Sequence, residues 1–373
     1  MGLFADDTRF LSRWVLTVNG ARPLLLSSGK VDYYSATFFL RNPLAGDLGY
    51  DEVSIKRDRF VGDGMQEHIV VQNHAARPVE FELGLDVGSD FADIFAVKAY
   101  DFTLGDPDHA APLPELIAPT YEEDDNQFVL ADDGDILTQV VFSERGEVDG
   151  GSVRYRIALA PRERWRLRVD VIPAVDGTRT NPARVERAFG DERARVRESL
   201  SAWNLRVPQI RASWDELSNS FRQSVADLAS LRMGEDPRLP GQLPAAGMPW
   251  FMTVFGRDTL ITCLQTLLFG TELARSALAT LAELQATEDD PASDAEPGKI
   301  VHEVRHGKGA KAWFPRYYGT VDATPLYLIL LSEVWRWTDD AALVRELREP
   351  ALRALAWIDE YGDLDGDGFV EYR

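Results

Sequence analysis

The chain has 373 residues, 45 % of them apolar and 18 of them Phe, so it can build two domains, each with its own core. A formal charge of −21 lacks the basic footprint that nucleic acid or an anionic membrane surface needs, and it suits a protein handling a neutral ligand. The single cysteine, Cys263, excludes an intrachain disulfide or thiolate metal cluster, and its apolar neighbours Leu260, Ile261 and Leu264 mark it as a small buried hydrophobe. The five histidines are scattered without ligand spacing, which disfavours catalytic zinc. No run reaches the roughly 20 apolar residues of a membrane span, and residues 1–9 hold no signal-peptide core, so a cytoplasmic protein is expected. Acidic clusters at residues 122–125 and 288–290 read as solvated loops.

Residues up to about 173 carry the pattern of antiparallel β structure. Residues 80–87 alternate polar and apolar side chains, as a half-buried strand does. In residues 153–172, Arg154, Arg156, Arg166 and Arg168 alternate with Val153, Tyr155, Ile157, Trp165, Leu167 and Val169 about a turn at 161–164. Further strands are predicted over 68–72, 93–99, 127–131 and 136–143, with turn signals frequent enough for a β-sandwich over residues 1–175. The period then changes. Residues 181–203 predict a charged helix within a linker at 176–210. Trp214, Leu217, Phe221, Val225, Leu228 and Leu231 mark one helical face, and further helices are predicted over 259–269, 272–285, 323–338, 340–347 and 350–361. Pro325 and Pro350 fit first turns. Helices apolar on more than one face, as at 326–331, suit the inner ring of an α/α barrel, and the long loop 288–321 is where such a barrel would build its site.

Arg257 and Asp258 are the most informative pair, set beside Trp250, Phe251 and Phe255 just before an apolar helical run. Sugar hydroxyls need charged hydrogen-bond partners, and sugar C–H faces need flat aromatic walls. The competing role for Asp258 is an N-cap of a helix starting at Thr259, and the two roles are compatible.

The segment from Ala245 through Trp250-Phe251 to Phe255-Gly256-Arg257-Asp258-Thr259 resembles the signature of amylo-α-1,6-glucosidases, the glucosidase part of glycogen debranching enzymes. Tyr317-Tyr318-Gly319-Thr320-Val321-Asp322-Ala323-Thr324-Pro325 and the block from Asp363 to Tyr372 are similar to later blocks of that family. Gly2-Leu3-Phe4, residues 7–12 and residues 90–95 resemble the N-terminal β domain of its bacterial members. The resemblance implies a β-supersandwich followed by a six-hairpin α/α toroid related to glucoamylases. It implies inverting hydrolysis of an α-linked glucose, with an α-glucan or oligosaccharide as substrate and no required cofactor. On it, Arg257 and Asp258 grip hydroxyls of the glucose beside the scissile bond, Phe255 and Trp250 wall it, and Asp322 adds a contact or caps the helix at Ala323. Trp313, His302, Glu303 and Arg305 share the long loop and are weaker candidates, as are Tyr317 and Tyr318.

A twelve-helix toroid needs roughly 350–400 residues, and about 160 follow Trp214. The family's general acid and base fall beyond Arg373, so no catalytic carboxylate is assigned inside the chain, and a piece of a debranching-type enzyme is expected. Inversion needs a protonated acid on the leaving oxygen and a carboxylate that activates water, about 6.5–9.5 Å apart. Two other functions compete. One is a non-catalytic carbohydrate-binding fragment. The other is a calcium-binding module, because Asp363-x-Asp365-x-Asp367-Gly368 reproduces the first half of an EF-hand loop whose twelfth position would be residue 374. Structural calcium on Asp363, Asp365 and Asp367 competes with a plain acidic turn.

Overall fold

The computed structural model describes residues 2–102, 112–132, 135–175, 177–233 and 241–371. They form two compact units, Met1–Ser199 and Leu200–Arg373. Among the described residues no helix is long and apolar enough to cross a membrane.

The first unit is built from fourteen strands: β1 (Leu3–Ala5), β2 (Thr8–Leu11), β3 (Arg13–Val18), β4 (Leu24–Asp32), β5 (Ser35–Arg41), β6 (Val53–Val61), β7 (Met65–Asn73), β8 (Val79–Gly88), β9 (Thr120–Glu122), β10 (Gln127–Asp132), β11 (Ile136–Phe142), β12 (Glu147–Asp149), β13 (Ser152–Leu159) and β14 (Arg164–Ala174). Among the described residues, β3 to β14 make an antiparallel two-sheet sandwich, and β1 and β2 pair apart from it as a two-stranded ribbon. An eight-stranded sheet runs β4-β5-β6-β7-β14-β11-β10-β9, and a four-stranded sheet runs β12-β13-β8-β3. Strand β13 shows why the layers meet: Val153, Tyr155, Ile157 and Leu159 are buried, while the residues between them face outward. Leu16, Leu83 and Leu85 of the small sheet share one apolar core with Ile55, Ile69, Val71, Leu167, Val169 and Val171 of the large one.

One buried polar group also ties the sheets together. Glu67 of β7 is wholly buried; its carboxylate accepts from Arg57 and from Arg59 (2.6 and 2.8 Å), and from Trp14 Nε1 of β3 at 3.1 Å. Burial alone would raise its pKa, but the Arg57 and Arg59 guanidiniums outweigh burial and hold it below the usual carboxylate range.

Two sequence-based expectations change here. The strand predicted over 93–99 is a helix, α1 (Ile94–Phe102). Asp93 explains it: its Oδ1 accepts from the backbone N–H groups of Phe95 and Ala96, both at 2.9 Å, which caps a helix start, and Ile94 and Val97 then fall on one buried face. The two arginine-studded strands about the 161–164 turn are present, as β13 and β14, but they do not pair with each other. β13 pairs with β8 in the small sheet and β14 with β7 and β11 in the large one, so the turn crosses between layers.

Helix α2 (Pro182–Arg206) follows, and in the first unit its Phe189 and Arg193 pack on Phe60 of the large sheet, at 6.2 and 4.8 Å. The second unit is helical: α3 (Asp215–Leu231), α4 (Gly256–Gln265), α5 (Glu272–Glu283), α6 (Gly307–Ala312), α7 (Ala323–Thr338), α8 (Ala341–Glu346) and α9 (Arg348–Trp357). Helix α7 packs against α4, α5 and α9, and α4 also against α5, so α7 is the helix about which this part of the unit is built. Tyr327, Leu330 and Val334 of α7 are completely buried, whereas Ile329, Trp335 and Trp337 of the same helix are exposed, so α7 is covered on one face and not on the several faces that its apolar run suggested. Cys263 is buried too, which pushes its thiol up to about 12 and makes it a packing residue.

Candidate functional site

Three extended segments of the second unit form a small antiparallel ladder that places the site. Phe255 bridges Glu303, Val304 N–H donates to Val254 O at 3.0 Å, and Glu303 and Val304 pair with Arg316 and Tyr317. Gly256 ends the first segment and begins α4, its N–H donating to His302 O at 2.9 Å. A Cβ on Gly256 would stand 2.0 Å from Val301 O and 3.4 Å from Cβ of Ala323, the first residue of α7. Only glycine lets the start of α4 come this close to the Val301 backbone, and the start of α7 stands at ordinary van der Waals distance from the same point.

That approach gathers three of the predicted residues. Arg257 Nη1 lies 3.6 Å from Asp322 Oδ2, and Arg257 Nε lies 3.9 Å from Asp258 Oδ2. All three side chains are 40–46 % exposed. Such long, solvated contacts contribute little to stability, so the groups stay available to a ligand. Both carboxylates also sit at helix starts, where the helix dipole favours negative charge.

Neither aspartate acts as the side-chain cap that sequence reasoning set beside the sugar role. Helix α4 starts at Gly256 with Phe255 in the N-cap position, which leaves Asp258 inside the first turn. The ladder starts the helix early by fixing Phe255 in extended geometry. Asp322 does occupy the N-cap position of α7, yet its carboxylate makes no cap bond and instead accepts from Thr320 Oγ1 at 2.7 Å.

The aromatic residues are arranged differently from the expectation. Phe255 is buried, with Arg305 over its ring at 5.2 Å and Phe251 and His302 edge-on at 5.6 and 5.8 Å. Trp250 enters through its backbone, its carbonyl accepting from Arg305 Nη1 at 3.1 Å. A row of rings runs from Phe251 through Phe255, His302 and Tyr317 to Trp313, which is 47 % exposed and lies 5.7 Å from Tyr317. Trp313 is the most exposed ring of this row. Sequence reasoning left Glu303 and Arg305 as minor candidates; both are buried, paired at 3.1 Å, and Arg305 braces Phe255 and Trp250 together. Nothing local announces this, because the contacts join residues some fifty positions apart.

Among the described residues, His302 Nδ1 is buried and has no hydrogen-bond partner. Burial, the largest influence, and Arg257 lower its pKa below the ordinary value, against opposing pulls from Glu303, Asp258 and Asp322.

The Asp363, Asp365 and Asp367 carboxylates lie in the loop after α9, each offering an oxygen within 4.8 Å of the others. Asp363 accepts from the N–H groups of Gly366, Asp367 and Gly368, and Gly366 and Gly368 adopt φ of +78° and +89°. The acidic residues thus shape the turn themselves, and their convergence also fits a hard cation. Tyr372, the last residue of the block quoted from the sequence, is outside the described residues.

Comparison with known proteins adds the following. Residues 1–170 match the family described as the N-terminal domain of (some) glycogen debranching enzymes. No curated protein matches the sequence. Among solved structures, a human-microbiome protein described as a kojibiose phosphorylase superposes with a TM-score of 0.58 over 90 % of this chain, at 11 % identity. The chain spans 46 % of that protein's length, and at this identity the likeness speaks for the fold. The Slr1438 protein of Synechocystis (TM-score 0.28, 12 % identity, 42 % of this chain and 67 % of that one) also matches, as does an Escherichia coli K12 protein described as an aldose 1-epimerase (0.27, 10 %, 42 % and 69 %).

Proposed function

We propose that a chain whose residues 1–170 are a debranching-type N-terminal domain carries, in its helical unit, the glucose-gripping part of an amylo-α-1,6-glucosidase. The observation that supports this reading is the convergence of Arg257, Asp258 and Asp322 at the adjoining starts of α4 and α7. A glucose unit presents hydroxyls that both donate and accept. Two carboxylates supply acceptors and the planar guanidinium supplies paired donors, each stronger than a neutral partner. Trp313 offers the flat surface for a sugar C–H face. In the complete enzyme these groups hold the non-reducing glucose while two further carboxylates, assigned to neither Asp258 nor Asp322, perform inverting hydrolysis. A calcium ion in the Asp363 loop would be a structural accessory, since the reaction needs no cofactor.

The test is sugar binding and product analysis on the chain. Isothermal titration calorimetry with isomaltotriose should show binding that Asp258→Asn and Arg257→Lys each weaken by roughly 10- to 100-fold, with melting temperatures unchanged, because an ammonium cannot replace the planar fork. Glucose release from a limit dextrin should be absent. Release abolished by Asp322→Asn would make Asp322 catalytic and overturn the assignment. Glucose 1-phosphate formed only with added phosphate would replace hydrolysis by phosphorolysis. Binding without turnover is what a non-catalytic carbohydrate-binding role also predicts, and restoring glucosidase activity by extending the chain separates the two.

A further inference from the structure

We propose that His302 is a specificity residue of this sugar site: a neutral Nε2–H donor that reads one hydroxyl oxygen of an uncharged sugar beside Arg257, Asp258 and Asp322. The inference rests on the sugar-site reading above and adds a residue with a defined protonation state.

The position of the ring is set on every side. The His302 main chain is pinned twice, its carbonyl accepting from Gly256 N–H (2.9 Å) and its N–H donating to Tyr317 O (2.8 Å). The imidazole stands edge-on between Phe255 at 5.8 Å and Tyr317 at 5.9 Å, with interplanar angles of 90° and 82°. Nδ1 is buried and has no partner among the described residues, which leaves Nε2 as the nitrogen that can serve a ligand.

That geometry selects a tautomer. A proton on Nδ1 would be a buried donor without an acceptor, and an orphaned donor is costlier than an orphaned lone pair. The proton therefore belongs on Nε2. The same cost opposes the imidazolium, in which both nitrogens are donors. The charged groups around the ring are Glu303 on its own segment, Arg257 and Asp258 on α4, and Asp322 at the start of α7. Three of the four are carboxylates that favour a charged ring, yet Glu303 is held by buried Arg305 and burial prevails, so the pKa is lowered.

Neutrality has a chemical consequence. Arg257 balances one of the two site aspartates, leaving one uncompensated negative charge that repels anionic sugars. A charged His302 would cancel it. A neutral His302 supplies the donor that the carboxylates cannot, and keeps the site selective for uncharged glucose in weak acid.

The experiment uses the full chain. Long-range ¹H–¹⁵N spectra, with His302→Gln for assignment among the five histidines, should show the Nε2–H tautomer with a midpoint below 6.5. His302→Phe keeps the ring and its edge contacts while removing the donor, and should weaken isomaltotriose binding roughly 3- to 10-fold with an unchanged melting temperature. An Nδ1–H tautomer, or an imidazolium at pH 6.5, overturns the proposal on the unaltered protein whatever the variants do. Unchanged affinity in His302→Phe while Asp258→Asn loses binding overturns it and leaves the site reading standing. Unchanged affinity in both variants defeats the site reading, and this proposal with it.

Discussion

Replacing Gly256 with alanine should damage this protein twice over. The added methyl would lie 2.0 Å from Val301 O and 3.3 Å from its carbonyl carbon, where ordinary contacts begin near 3.4 Å, so the helix start and the Val301 backbone must separate by about 1.4 Å. The obstacle is backbone, next to the His302 main chain that two hydrogen bonds hold, and cannot swing aside as a long side chain would. Overpacking of this kind costs about 1–3 kcal/mol. The N–H bond from Gly256 to His302 O, at 2.9 Å, is stretched or lost for about another 1 kcal/mol. Helix propensity works in the opposite direction, favouring alanine by at most about 1 kcal/mol. The net expectation is a loss of about 1–3 kcal/mol, read as a lower urea midpoint at constant slope. Because Arg257 is the next residue, its guanidinium moves with the helix, so on the proposed sugar-site reading isomaltotriose binding should weaken as well. A Gly256→Ala protein within 0.5 kcal/mol of the parent, or more stable, would refute the close-approach argument.

Glu67→Gln should cost roughly 3–5 kcal/mol by chemical denaturation, because it strands two guanidiniums against a buried neutral amide. Glu67 has a depressed folded pKa, so its contribution is present above the unfolded value and is lost as pH falls through the folded one. Parent and variant should therefore converge in stability in acid, and a constant gap down to pH 2 would refute the assignment. Tyr327→Phe should be neutral or stabilising by up to about 1 kcal/mol, since it removes a buried hydroxyl without a partner, and a loss above 1 kcal/mol would reveal a partner for that hydroxyl. Millimolar calcium should raise the melting temperature through the Asp363 loop, and Asp365→Ala should abolish the gain; an unchanged curve leaves the loop as a turn.

How far the sequence could be read depended on whether the deciding contact was local. The helix predicted over 323–338 is α7 residue for residue, because a first-turn proline and an apolar run encode it within sixteen positions. Strands β8, β13 and β14 were visible in their alternation, but alternation names the face of a residue and not its neighbouring strand, so the change of sheet at 161–164 was invisible. Residues 93–99 failed because Asp93 as a cap competes with a short stretch compatible with either period. In the site, Arg257, Asp258 and Asp322 stood out in two separate sequence blocks, and the structure brings them together, with the Asp322 and Asp258 carboxylates at 3.6 and 3.9 Å from the guanidinium. The burial of Phe255, the backbone role of Trp250, the brace of Arg305 and the orphaned Nδ1 of His302 depend on segments that meet only in the folded ladder.

The order of the large sheet also dictates when it can exist. Its last strand in the chain, β14, is inserted at the centre, between β7 and β11, rather than added at a rim. As the polypeptide leaves the ribosome, β4 to β7 can zip into hairpins, and β9 to β11 likewise, but the two halves have no shared border until residues 164–174 emerge. Until then β7 and β11 each carry a bare hydrogen-bonding edge next to apolar side chains, the condition in which strands pair with the wrong chain. The nascent domain is therefore most exposed to aggregation just before its final strand appears. A fragment ended at residue 163 should be insoluble, whereas one carried through residue 199 keeps the inserted strand and the stretch of α2 that packs on Phe60.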